Sequence, residues 1–343
     1  MDLSRIFLKD ACPTSIGGQA VLEGVMMRGA DRTAVTLRLP DGRMYLKTMK
    51  NRAAGRWARL PLIRGVVSFL SSLVTGTRII TFSADALDYF SGETAEEPGK
   101  LEQKLTERFG EKKIWNAMIA VSVILALVFS IAVFILMPTA AMDLLGRFVH
   151  STVLLNLAEG IFRIILFILY ILLISKMEDI HRVFMYHGAE HKSIHTFENG
   201  LDLIPENARG FYTLHPRCGT SFLMFVMVIS LVLFSLLGWP SLVERILSRL
   251  LLIPVVAALS YEVLRWAGRS DGALVKLLSL PGLYLQKLTT AEPTDDMVEV
   301  AMTSLKAVLV PAEEPCVEGI CDADARIIEE VKIDRTSERA MDA

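Results

Sequence analysis

The sequence predicts a mainly α-helical, polytopic membrane protein, with about four transmembrane helices and a small cytosolic α+β amino-terminal part. The 343 residues are 52% apolar and 22% charged, with a mean hydropathy of +0.43. That is too oily for a soluble globule and too charged for a bare helical bundle. The charges are segregated, leaving apolar runs of spanning length. A third observation, strand-like alternation near the amino terminus, predicts the β part. The formal net charge of −2 hides an Arg-rich first hundred residues and an acidic end. This balance excludes nucleic-acid binding argued from charge, a disordered chain and, with four scattered cysteines, a disulfide scaffold.

Residues 1–59 read as the cytosolic amino-terminal part. Met1 to Asp10 carries charges where a cleavable signal needs an apolar core. In Ala34 to Met49, Val35, Leu37 and Leu39 alternate with polar residues before Pro40-Asp41-Gly42, which predicts a β-hairpin. Residues 60–111 comprise an amphipathic helix, Leu60 to Phe90, lying in the inner headgroup layer or partly re-entrant, and a charged linker, Ser91 to Glu111. Residues 112–290 form a four-span membrane domain. Its first span, Trp115 to Met137, is uncharged; at about 1.5 Å per residue it covers a hydrocarbon core of about 30 Å, and it ends at Pro138. The second, Val153 to Ser175, contains Glu159 and Arg163, four apart and read as an ion pair near the outer headgroups. The third is Thr220 to Pro240. The fourth, about Ile246 to Trp266, has Arg249, Glu262 and Arg265 near its ends and a kink at Pro254. Residues 291–310 form a carboxy-terminal helix, and 311–343 an acidic, loosely ordered tail. No internal repeat is visible.

Lys and Arg are sparse in the loops after the first and third spans and frequent in 176–219 and before residue 100. The positive-inside rule therefore places both termini and the His-rich loop 176–219 in the cytosol of a cytoplasmic-membrane protein. The cysteines there are expected to be reduced.

Four of the six histidines, His181, His187, His191 and His195, fall within fifteen residues. His187-Gly188-Ala189-Glu190-His191 fits the H-x-x-E-H pattern of inverted zinc peptidases. Residues four apart share a helix face, so His187 and His191 can reach one metal ion at about 2.0–2.1 Å. Glu190 lies beside that face, where a carboxylate can take a proton from water. His195 continues the stripe, but eight residues, about 12 Å, is too far for one straight helix to deliver all three rings. His215 and Cys218, just before the third span, add donors that metals favour. Glu262, at the inner end of the fourth span, is a carboxylate whose depth demands a partner. A second constellation, Gly17 to Gly29, sets two glycines before Glu23 and Arg28. It lacks the Gly-Lys-Ser/Thr of a phosphate loop and reads as a turn, or as a device by which Glu23 reaches the histidines.

GGQAVLEGVMMRG at 17–29, HGAEHKSIH at 187–195 and HPRCGTSF at 215–222 resemble the YqhQ-like (DUF1385) family of bacterial membrane proteins, and the similarity runs through Ser260-Tyr261-Glu262 and Glu292-Pro293-Thr294. The resemblance implies a metal-dependent enzyme and names no substrate. Two readings follow. In the first, Zn2+ or another divalent transition metal is held by His187, His191 and either Glu262 or His215. Glu190 is then the general base, and Arg28 or Arg217 stabilises developing negative charge, in a hydrolase acting on an amphiphilic or membrane-bound substrate. In the second, a non-catalytic, partner-binding membrane scaffold uses His187, His191, His215 and Cys218 for a closed structural site or a hydrogen-bonded cluster.

Overall fold

The structure, a computed structural model, describes residues 12, 14–51, 60–91, 111–237, 241–267 and 272–333. It divides into two compact units: 1–91 with 171–226 and 257–343, and 92–170 with 227–256.

The first unit is built on a six-stranded antiparallel sheet whose strands follow chain order: β1 (Gly17–Val21), β2 (Gly24–Arg28), β3 (Arg32–Arg38), β4 (Met44–Lys50), β5 (Glu318–Cys321) and β6 (Ile327–Glu330). β3 and β4 form a hairpin closed over Pro40 to Gly42, with Gly42 at φ 85, a left-handed conformation that costs glycine little. Alternate residues serve opposite cores. Val25, Met27, Ala34 and Leu46 face one cluster, whereas Met26, Val35, Leu37 and Tyr45 face the other with Ile320.

Over the second face lies the carboxy-terminal half of α1 (Ile63–Ser91), through Ile79, Phe82 and Ala86. Over the first face lie α5 (Glu178–Glu198), through Tyr186, Ala189 and Ile194, and α10 (Asp295–Leu309), through Val298, Val300, Ala301 and Leu305. The central strands are therefore buried on both faces, and even their polar residues Thr33, Thr36, Lys47 and Thr48 are buried. The unit also holds the short α6 (Pro205–Ala208), the start of α7 (Thr220–Ser235), the end of α8 (Leu242–Ala267) and α9 (Ala273–Thr289).

The tail expected to be loose instead supplies β5 and β6. Glu318, counted toward an acidic, solvated stretch, accepts hydrogen bonds from the Tyr45 hydroxyl and from Lys47 Nζ at 3.2 Å, while Ile320 and Cys321 are buried. Local pairing thus cancels the charge on which the disorder reading rested. Residues 334–343, the charged start Met1 to Asp10 and most of the 91–111 linker lie outside the described residues.

The second unit contains α2 (Glu111–Ile131), a π-helical turn (Ala132–Leu136), α3 (Met137–Leu145), most of α4 (Thr152–Ile174), the end of α7 and the start of α8. The first apolar helix does not stop at Pro138. It widens into the π turn and continues to Leu145, a local adjustment that accommodates the missing proline N–H.

Among the described residues, three helices are long and apolar enough to cross a membrane: Ile63–Ser91, Ala117–Leu145 and Thr152–Ile174. The set differs from the expected four. α7 has 16 described helical residues, about 24 Å. α8 carries Glu244, Arg245 and Arg249 within its first eight residues. Conversely α1, read as an interfacial helix, is 29 residues long. The end of the expected third span, Gly238 to Pro240, lies outside the described residues.

Candidate metal centre

α5 follows Met177, with Glu178 and Asp179 in its first turn, complementing the amino end of the helix dipole. From Gly188 to Thr196 every residue is buried, although the stretch includes Glu190, His191, Lys192, Ser193 and His195. Buried polar groups at this density need partners, and the surrounding elements provide them. Lys192 pairs with Glu292, and Ser193 and Thr196 bond back to carbonyls four residues earlier. Gly188 permits the close approach: a Cβ there would lie 2.2 Å from the Ala291 carbonyl oxygen.

That approach orients the first histidine. His187 Nδ1 lies 2.8 Å from the Thr289 carbonyl oxygen and His191 Nδ1 lies 2.6 Å from that of Thr213. A carbonyl only accepts, so both Nδ1 atoms carry a proton, which leaves each Nε2 as the atom a metal could take. His187 Nε2 lies 3.2 Å from Cys218 Sγ. His191 Nε2 is buried without a hydrogen-bond partner among the described residues. One donor atom from each of His187, His191 and Cys218 lies within 4.8 Å of the others. Two imidazoles with outer nitrogens fixed by carbonyls, a thiol and an orphaned buried lone pair fit a borderline transition metal.

Electrostatics agree with the geometry. Burial alone would raise the Cys218 thiol, but the His191 and His187 rings bring it well below its ordinary value. Thr220 N–H also donates to this sulfur at 3.4 Å, at the amino end of α7. Burial alone would lower His187, but the sulfur beside it raises the ring to about 9. Glu190 is 5% exposed; burial pushes its carboxyl up against the pull of His191 and His187. One of its oxygens accepts the Gly18 N–H at 2.9 Å.

His195 and His215 fall in a second group, with Glu198. There His195 Nε2 is bonded to the Leu214 carbonyl at 2.9 Å, and His215 Nε2 faces Glu198 at 3.4 Å. Glu198 also receives Arg217 and the Thr14 N–H at 2.9 Å. Burial brings His195 to about 4 and His215 to about 3. Although burial opposes ionisation of Glu198, the His215 ring, Thr14 and Arg217 hold its carboxyl at about 2. The spacing would admit a cation, but Arg217 already matches the carboxylate.

Three expected site residues lie elsewhere. Glu262 pairs with Arg64 and receives the Leu62 N–H at 3.4 Å, so the partner its depth demanded is a guanidinium. Glu23, in the β1–β2 turn at φ 50, takes Arg182 through both oxygens, at 2.5 and 2.6 Å, and the Tyr186 hydroxyl at 3.3 Å. Arg28 ends β2 as an exposed residue. The carbonyls of Thr213 and Thr289, Glu198, and the Lys192–Glu292 pair escaped the sequence reading.

Residues 60–310 match the family described as "Protein of unknown function (DUF1385)". The chain is 34% identical over 307 residues to "Uncharacterized protein YqhQ" of Bacillus subtilis (strain 168), covering 88% of this chain and 94% of that one. No solved structure matches the chain. With the family matched over most of its length and a relative at this identity, the chain belongs to the DUF1385 family.

Proposed function

We propose that the chain is a metal-dependent hydrolase of the cytoplasmic membrane, with its site at the cytosolic boundary and an amphiphilic or membrane-bound molecule as substrate. The observation carrying this reading is the common orientation of His187 and His191, each Nδ1 tied to a main-chain carbonyl and one donor atom of each within 4.8 Å of the other and of Cys218. Zn2+ or another divalent transition metal held by these three would supply Lewis acidity toward a polar bond and lower the pKa of water. Glu190 takes and returns the proton, its raised carboxyl suiting both directions, with one oxygen steadied by Gly18. Structural zinc sites are closed by four protein ligands. His215, needed for that closed set, is turned toward Glu198, which favours the open, catalytic alternative over the scaffold reading. Arg217 and Arg28 receive no catalytic role.

The test is metal analysis of purified wild type, His191→Ala and Glu190→Gln. About one equivalent in wild type and Glu190→Gln, with none in His191→Ala, is expected; equal and negligible metal in all three overturns the proposal.

Unit-one packing supports a definite crossing pattern. β1–β4, α5, α10 and β5 share one sheet and its cores, and no bilayer passes through a continuous core. The chain therefore crosses an even number of times between β4 and α5. α1 is committed to the sheet by Ile79, Phe82 and Ala86, leaving the α2–α3 helix and α4 as one crossing pair. The same parity holds between α5 and α10, pairing α7 with α8. This parity supports four crossings with both termini on one side, and the Lys/Arg bias supports the cytosol as that side.

A further inference from the structure

The second unit holds a buried ionic cluster that the metal centre does not use. Glu159 on α4 pairs with Arg163 one turn later at 2.9 Å and with Arg249 on α8 at 2.5 Å. The side chains of Glu159 and Arg249 are 2% and 3% exposed. One carboxylate thus faces two guanidinium groups. The nearby Arg245–Asp143 pair, at 2.7 Å, balances itself. Among the described residues the cluster keeps one positive charge without a counter-charge, in a unit whose outer surface includes Val121, Leu125, Phe129, Ile161 and Leu169. An uncompensated buried charge there is costly.

The neighbouring polar groups are committed. The Thr139 hydroxyl donates to Glu159 at 3.1 Å. Arg163 Nε donates to the Phe134 carbonyl at 2.8 Å, the one Pro138 cannot serve four residues on. Asn156 donates to the Leu237 carbonyl at 3.1 Å and accepts from Arg249 Nη2 at 3.5 Å. The Phe234 ring lies 5.4 Å from Arg163 and 5.5 Å from Arg249, holding both guanidinium groups. Arg249 Nε and Nη1 are buried and have no hydrogen-bond partner among the described residues.

We propose that Arg249, with Arg163, binds a singly charged phosphate-class oxyanion, supplied by a lipid phosphodiester or by free phosphate. The missing charge is one, the missing contacts are acceptors for N–H, and a guanidinium is the side chain best matched to such an oxyanion. Asn156 and Arg249 lie four and seven residues into their helices, about 6 and 10 Å deep, close to the level of a lipid headgroup.

The full chain, purified in detergent, is tested in two arms: radiolabelled inorganic phosphate in equilibrium dialysis, and lipid phosphorus retained per chain after delipidation. Wild type, Arg249→Gln and the surface control Arg43→Gln are compared. Wild type and Arg43→Gln should hold about one phosphate group per chain, with Arg249→Gln weakened about 10- to 100-fold, as for a lost charge-assisted hydrogen bond. Loss confined to retained lipid phosphorus identifies the phosphodiester; loss confined to dialysis identifies free phosphate. Equal behaviour of wild type and Arg249→Gln in both arms, or no binding by wild type, overturns the proposal. Should Arg249→Gln fail to fold, Glu159→Gln decides: removing the competing carboxylate should tighten binding, and unchanged or weaker binding overturns it.

Discussion

Consider Gly188→Ala. The new Cβ would lie 2.2 Å from the Ala291 carbonyl oxygen and 3.1 Å from Thr213 Cγ2. Real Cβ atoms essentially never approach closer than 3.0 Å, so α5 and the 289–291 segment must separate. The same segment holds His187 Nδ1 at 2.8 Å through Thr289, and Ala291 N–H bonds to the Phe184 carbonyl at 2.9 Å. Overpacking of this kind costs about 1–3 kcal/mol, and weakening one buried hydrogen bond about 1 kcal/mol more. The expected destabilisation is therefore about 2–4 kcal/mol. Loosening the carbonyl that orients a ligand imidazole should also weaken metal affinity about 10- to 100-fold. Chemical denaturation of the purified chain reads the first effect and competition against a metallochromic chelator reads the second. A Gly188→Ala protein with wild-type midpoint and wild-type metal affinity would refute the idea that this glycine sets the geometry of the centre.

Other perturbations have equally definite outcomes. In the metal-free protein the His187 ring titrates at about 9 beside a sulfur already lowered, so at neutral pH a metal must displace the ring proton. Metal affinity should rise about tenfold per pH unit from pH 7 to about 9 and then level off; a flat profile by chelator competition counts against the assignment. Glu198 sits at about 2 against an ordinary 4.5. Its folded value is depressed, so its stabilising contribution is complete above pH 4.5 and fades as pH falls toward 2. Glu198→Gln should be destabilised at pH 7, lack that acid limb in thermal melts, and keep its metal; loss of metal would instead place Glu198 in the centre. Ending the chain after residue 310 removes buried Ile320 and Cys321 and strips β5 from β4. Burial of one such large apolar residue is worth about 1.5–3 kcal/mol, and an uncovered edge invites association. A truncated chain that stays monodisperse in size-exclusion chromatography, with wild-type stability, would contradict this.

The sequence was most legible where function depends on short spacing. His187, Glu190 and His191 needed only helical periodicity, and Cys218 needed only its place before an apolar run. The choice among more distant donors was not legible. Glu262 was judged by depth alone, and its partner Arg64 lies 198 positions away, beyond any periodicity argument. His215 looked equivalent to Cys218 until Glu198, a residue without a motif, turned it away. The apolar runs on α2–α3 and α4 were plain because they are long, with α4 broken by charge only at Glu159 and Arg163. α1 was hard to place because it serves two environments: Val67, Leu70 and Leu73 are exposed, whereas Ile79, Phe82 and Ala86 meet the sheet. At β5, a composition averaged over thirty residues concealed four that pair with a strand from the other end.

That last pairing sets a timetable for biosynthesis. β4 ends at residue 50 and β5 begins at 318, so at 5–20 residues per second the ribosome needs about 15–50 s to deliver the closing strand. Throughout that interval the newborn protein exposes a ready hydrogen-bonding edge while its oily helices are being inserted. Termination anywhere between the two strands therefore leaves β4 with an unpaired edge, open to association with other chains.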